Sequence, residues 1–270
     1  MALEPFSSLV SEQAAAPAAV ALGAGRALGI TIIFPLFTLF NVTGILRFGL
    51  AIGLSAPSVV HAYSVLSGGQ TPWLEVAGLS LKEIAFGALL GMGFGIPFWA
   101  AQAAGDMTDV YRGANAANLF DQVNSLETTP LGSLLMSIAL GIFVAAGGIV
   151  DLVAIFYNSF ALWPLFTLAP TTANDWLAVV LESFARLFRV GALLASPFIV
   201  VMCAVELSLA FVGRSARQFP MNDGAATFKN LAVVLVLAVY ATFATSYFGS
   251  VWTEAFSDMK GFMETGLGKE

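Results

Sequence analysis

Three ionisable side chains stand three apart near the middle of this 270-residue chain: Asp106, Asp109 and Arg112. On a helix that spacing places all three on one face. Two neighbouring carboxylates can do acid–base work, and a carboxylate three residues from an arginine can form an ion pair. Asn115, Asn118, Asp121, Gln122 and Asn124 follow, so 106–127 is the most polar stretch between the two ends of the chain. Two readings suit it: a solvated ladder of ion pairs, or a polar lining or plug for a pore. Catalysis needs more than the sequence offers. No G-x-S-x-G, Walker-type loop or H-E-x-x-H occurs. One histidine, His61, and one cysteine, Cys203, make no multi-histidine or structural zinc site and no intrachain disulfide. The apolar neighbours of Cys203 predict a packed, unreactive thiol. Neither catalytic residue, metal nor cofactor is expected.

The polar stretch is delivered by an apolar one. Residues 84–105 are uncharged between Glu83 and Asp106. Gly87, Gly91 and Gly95 recur four apart, so they share one helix face, and small residues at that spacing let two helix backbones approach closely. The expectation is close packing against another helix, which the family resemblance given below would place in neighbouring subunits. Gly91-x-Gly93-x-Gly95 has no strand before it, so it reads as packing rather than dinucleotide binding. Pro97 removes a backbone donor and predicts a kink.

Composition places the whole chain in a membrane. Apolar residues make up 58%, charged residues 10%, and the mean hydropathy is +0.86. An ordinary soluble domain carries about 25% charged residues. With 11 Lys and Arg against 17 Asp and Glu, there is no basic stripe for nucleic acid. The opening MALEPFSSLVSEQ holds Glu4 and Glu12 and no basic residue, which is not the positive start of a signal peptide. Charges bound the apolar runs. Residues 14–25 end at Arg26, and 27–46, kinked at Pro35, end at Arg47. Residues 48–74 break at a turn, SGGQTP; 75–83 hold Glu75, Lys82 and Glu83. Residues 128–150 make a span, 152–174 are interrupted by Pro164 and Pro170, 175–189 are amphipathic, and 190–213 and 230–253 are long apolar runs. The tail from Glu254 reads as frayed. FPLFTL at 34–39 and WPLFTL at 163–168 read as two similar proline kinks.

Charges inside such runs are functional candidates. Arg47 and Asp151 read as helix-end residues. Glu206, flanked by VMCAV and LSLAFV, reads as buried, with a partner among Arg214, Arg217 and Lys229. Basic residues mark the cytoplasmic side, yet Arg186 and Arg189 precede 190–213 and Arg214 and Arg217 follow it. A helical hairpin bent near Pro197 removes the conflict. So does a subunit that does not sit as ordinary spans.

The run from Gly95-Ile-Pro-Phe-Trp through Gly105-Asp106, Asp109 and Arg112-Gly-Ala resembles the SctT family of type III secretion export-apparatus proteins. That family includes SpaR, YscT and HrcT and is related to flagellar FliR. Thr129-Pro-Leu-Gly-Ser133, Gly147-Gly148, Pro197, Glu206-Leu-Ser-Leu-Ala, Arg214, Gln218 and Lys229 extend the resemblance over about 30–253. One departure is Arg217, where the family has a proline in R-x-A-P-Q-L-N-V-F. The resemblance implies an all-α, polytopic, membrane-associated protein of six to eight kinked segments arranged as hairpins and packed in a helical export gate. It implies a single domain, 1–270, with an SctR-like part at 1–150 and an SctS-like helical hairpin at 151–270. A plug near 106–124 would carry Asp106, Asp109, Arg112, Asn115, Asn118 and Asp121. Gly87, Gly91, Gly95 and Pro97 would serve packing, and Glu206, Arg214 and Lys229 would be buried or loop charges. Implied partners are SctR-like and SctS-like subunits, other export-apparatus membrane proteins, unfolded secreted proteins and lipid. The implied role is non-enzymatic, in the bacterial inner membrane. A secondary transporter or channel for a small solute is the alternative.

Overall fold

The computed structural model describes residues 4–68, 72–112, 129–168, 176–215 and 221–266. Most of the described residues are helical, with no strand among them. In chain order they form α1 (Glu4–Ile33), α2 (Pro35–Leu39), α3 (Gly44–Leu54), α4 (Ala56–Gly68), α5 (Trp73–Arg112), α6 (Pro130–Ala145), α7 (Gly148–Leu162), α8 (Trp176–Ser215) and α9 (Met221–Gly266). Among the described residues, three helical stretches are long and apolar enough to cross a membrane: Ala15–Ile33, Trp73–Arg112 and Phe188–Arg214. The number rises to six if each bent pair counts as one span.

Local chemistry explains most breaks. Phe34 precedes a proline and is extended (φ −68°, ψ 124°), which ends α1, and Pro35 then starts α2 at a position that needs no N–H. Asn41 and Gly44 take positive φ in the turn that follows. The predicted span 27–46 is therefore cut at Pro35. Between α3 and α4 the chain bends by 73°. The predicted span 128–150 is interrupted at Gly147, whose φ of +83° suits glycine and ends α6. Prolines alone break less than expected. α5 runs unbroken through Pro97 and α8 through Pro197, so 175–189 and 190–213 are one helix and no hairpin turns at Pro197. α9 continues well past Glu254, so the tail is helical rather than frayed.

The chain divides into two compact units, each discontinuous in sequence. The first comprises Met1–Gly95, Ile149–Trp176 and Ala255–Glu270, and the second Ile96–Gly148 and Leu177–Glu254. In the first, Ala15, Ala19, Leu22, Ala62, Leu66, Leu79 and Leu165 form a core. Here α1 and α5 touch backbone to backbone. A Cβ on Gly29 would strike the Ile84 carbonyl and the Ala88 amide, one on Gly87 would strike the Arg26 carbonyl, and one on Gly91 would lie 3.0 Å from Ile30 Cα. Gly87 and Gly91 therefore face α1 of the same chain rather than a neighbouring subunit. Gly95 and Pro97 are buried as well.

In the second unit, Ala100, Ala104, Val190, Leu194, Ala195 and Val251 form one cluster and Leu131, Phe198, Met202 and Val233 another. α8 and α9 run antiparallel: Glu206 meets Lys229, while Phe198 meets Tyr240 with ring centroids 5.7 Å apart. Cys203 is exposed on this chain, against the packed thiol expected of it. It sits on a side of α8 that, as at Val200 and Leu207, no described residue covers.

Candidate functional site

Asp106, Asp109 and Arg112 lie on the last two turns of α5, and their target is the start of α6. A helix leaves its first N–H groups unpaired. At α6 the Thr129 hydroxyl accepts from the Gly132 amide at 3.1 Å, as an N-cap does, and Pro130 has no N–H to satisfy. The Thr129 hydroxyl donates in turn to Asp106 Oδ1 at 2.7 Å, and the Thr129 amide donates to the same oxygen at 3.3 Å. Asp109 Oδ2 accepts from the Leu131 amide at 2.9 Å. Two carboxylates thus stand where the helix macrodipole is positive. Asp109 is fully buried, and its other oxygen is 2.6 Å from Arg112 Nε, an ion pair whose geometry is not that of a directed hydrogen bond.

Close approach makes this clamp possible. A Cβ on Gly105 would sit 2.5 Å from the Gly132 amide nitrogen and Cα, and one on Gly132 would overlap Asp106 Oδ1. Gly105-Asp106 and Thr129-Pro-Leu-Gly132, separated in sequence, are therefore two halves of one contact. The carboxylates are neither a solvated ladder nor part of a loose loop: through Arg112 the polar stretch is helical and anchored. Asn115, Asn118 and Asp121 lie outside the described residues.

Around Arg112 the polar contacts continue. Its Nη1 donates to Asn230 Oδ1 of α9 at 3.3 Å. Lys229 Nζ donates to the Tyr111 carbonyl at 3.4 Å and is ion-paired with Glu206 of α8. Glu206 has a partner from the expected set, but its side chain is 50% exposed rather than buried. Arg214 is exposed near the end of α8. Arg47 and Asp151 sit in the first turns of α3 and α7, as helix-end residues should; Arg47 Nε donates to the Val42 carbonyl at 2.9 Å.

Sequence reasoning missed a second polar cluster, in the first unit. Arg26, read as a boundary charge, is fully buried inside α1. Its guanidinium grips Glu83 of α5 in bidentate fashion, Nε to Oε2 at 2.8 Å and Nη2 to Oε1 at 3.0 Å. Nη1 donates to Ser159 Oγ and Nη2 to the Trp163 carbonyl, both at 2.8 Å. The rings of Phe160 and Phe86 flank the guanidinium, 4.0 and 4.7 Å from its carbon. Lys82 lies 2.6 Å from Glu83 and donates to the carbonyls of Pro164, Leu165 and Thr167 at 3.0–3.1 Å. The WPLFTL segment thus follows directly on α7, and four of its backbone carbonyls accept from the two cations. The available signal was three charges lying next to apolar runs of spanning length.

Residues 18–255 match the model of a protein family described as bacterial export proteins, family 1. The chain belongs to that family. Relatives of this family 1 export protein bear it out. Yop proteins translocation protein T of Yersinia pestis is 28% identical over 193 residues, covering 70% of this chain and 73% of the relative. Secretion system apparatus protein SsaT of Salmonella typhimurium is 25% identical over 240 residues, 85% of this chain and 89% of the relative. Flagellar biosynthetic protein FliR of Pectobacterium carotovorum is 26% identical over 219 residues, 76% and 80%. Both halves of the α5–α6 clamp and the whole Arg26 cluster lie within the matched span of this export protein.

Proposed function

We propose that this chain is a core export-gate subunit of a type III secretion system, a multi-pass protein of the bacterial inner membrane that forms part of the channel for unfolded secreted proteins. The observation that carries the reading is the family match over 18–255, together with relatives named for translocation and secretion apparatus at 70–85% coverage of this chain. The partners are other membrane proteins of the export apparatus, and among them SctR-like and SctS-like subunits are the ones we propose. The role is non-enzymatic: the subunit shapes and closes a passage rather than changing a covalent bond. We further propose that 1–150 is the SctR-like part and 151–270 the SctS-like hairpin; the antiparallel pairing of α8 and α9 supports the second assignment.

Within that role, the stretch between α5 and α6 is the closure. Support comes from how its ends are treated. Asp106 and Asp109 fix the start of α6 against α5, so the two helices that bound the stretch are held together. Asp106, Asp109 and Arg112 accordingly become anchors of the closure, while Asn115, Asn118 and Asp121 remain its proposed body. Purification of a tagged chain in mild detergent tests the assignment. Co-purification with several copies of two other small membrane proteins is the expected result; a lone chain or small homo-oligomer would refute it.

A further inference from the structure

Of the three apolar stretches of spanning length, the one in α8 is covered least by its own chain: 33% of its most apolar part is buried, against 56% in α1 and 61% in α5. What it leaves open has a regular period. Leu193, Val200 and Leu207 recur every seven residues and are 51%, 66% and 63% exposed. Ser196, Cys203 and Ala210 stand three residues after each of them and are exposed too. Alternate steps of three and four residues are the period of a seam between two packed helices. The large side chains act as knobs, and the small ones let a second backbone come close. From Leu193 to Ala210 the seam rises about 26 Å, nearly the thickness of a hydrocarbon core. The opposite side of α8, with Leu194, Ala195, Phe198 and Met202, is already packed within the second unit.

Lipid could cover an apolar seam, but Glu206 argues for protein. It immediately precedes Leu207, at the flanking position through which paired helices exchange charges. Its Oε1 is ion-paired with Lys229, yet the side chain stays 50% exposed and Oε2 has no partner among the described residues. A carboxylate so placed is costly against hydrocarbon and is favoured by a cation opposite it. A second copy of this chain does not supply that cation. Arg189 and Arg214, both exposed, stand at the two ends of the seam. Two copies packed antiparallel along 189–214 set Arg189 of each against Arg214 of the other and Glu206 against Pro197. Two copies packed in parallel set Arg214 against Arg214. Like charges meet in both arrangements, and Glu206 faces no cation in either.

We propose that the exposed side of α8 seats one helix of a different membrane protein of the export apparatus, packed along Leu193–Ala210 and presenting a Lys or Arg to Glu206. This rests on the export-gate reading given above. The test is made on the assembled complex in its membrane. A p-benzoylphenylalanine replacing Leu207 is photo-cross-linked and the adduct mapped by mass spectrometry. The expected adduct is with an apolar segment of a different membrane protein that has a basic residue within two turns. An adduct with lipid alone, with this chain itself, or with a segment lacking such a residue would overturn the proposal. Charge variants test the role of Glu206. Glu206→Lys should lower co-purification of the cross-linked protein by about tenfold or more, because like charges then meet. The swap of Glu206→Lys with Lys229→Glu rebuilds the α8–α9 ion pair but still shows the partner a cation, so co-purification should stay low. Its recovery in the swap would mean that Glu206 serves Lys229 alone, against the proposal. The cross-link decides the matter even where a charge variant is depleted from the membrane. A wild-type chain that purifies alone would bring down the export-gate reading as well; co-purification with other membrane proteins, but only lipid on residue 207, would bring down the proposal alone.

Discussion

Deleting residues 113–123 and deleting residues 106–123 should give opposite results, although the two differ by only seven residues. The shorter deletion spares every contact of the α5–α6 clamp. It leaves 124–128 to bridge Arg112 and Thr129, and six Cα–Cα steps reach about 20 Å when extended. The gap is short, because Asp109 Oδ2 is 2.9 Å from the Leu131 amide one turn below the end of α5. The longer deletion removes Asp106 and Asp109. Three hydrogen bonds to a carboxylate are lost, each worth about 1.5–3 kcal/mol, and the buried Leu131 amide loses its acceptor. The sum is about 5 kcal/mol or more, comparable to the whole stability of many domains. The assay is membrane level by immunoblot, co-purification of the complex, and ion leak, run on both deletions. The 113–123 deletion should assemble at normal level and leak. The 106–123 deletion should be depleted. Equal depletion of both would refute the clamp argument, and a well-assembled 113–123 deletion with neither leak nor altered secretion would refute the closure.

Other consequences are simpler to test. Arg26→Met leaves Glu83 buried with only Lys82 beside it and should cost about 3–5 kcal/mol, read as a drop in the melting temperature of the detergent-solubilised chain; adding Glu83→Gln should recover part of the loss rather than deepen it. Gly87→Ala drives a methyl into the Arg26 carbonyl and should cost about 1–3 kcal/mol or more, whereas Gly91→Ala meets α1 at 3.0 Å and should cost clearly less in the same melting assay. Lys82→Met strips the ammonium from three carbonyls in the segment just past α7 and should lower the melting temperature through about 1–3 kcal/mol. Asp109→Asn keeps an acceptor for the Leu131 amide but loses the charge, so it should be milder than Asp109→Ala in both melting temperature and leak.

Some of this was present in the sequence alone. Charge scarcity and apolar runs near twenty residues require a membrane and a helical backbone, because lipid offers no partner to an unpaired amide. The change of character at Gly105–Asp106 marked where packing ends and polarity begins, and the motif around it pointed to the export family that the comparison over 18–255 establishes. Proline and glycine signals told less. Pro35 ends a helix because Phe34 is free to be extended, while Pro97 and Pro197 sit inside helices that packing holds together.

What only the tertiary structure decided is the meaning of the charges. A charge beside an apolar run reads the same whether it meets water at an interface or another charge in the interior. Arg26 and Glu83 are 57 residues apart, and Asp109 and Leu131 are 22 apart, so no local periodicity records that they meet. Burial of Arg26 is tolerable only because Glu83 from one other stretch, and Ser159 and the Trp163 carbonyl from a second, converge on it. The sequence by itself determined that Asp106 and Asp109 share a helix face. The fold brought the bare amides of α6 to that face, and so gave the two acids of α5 partners at the start of α6.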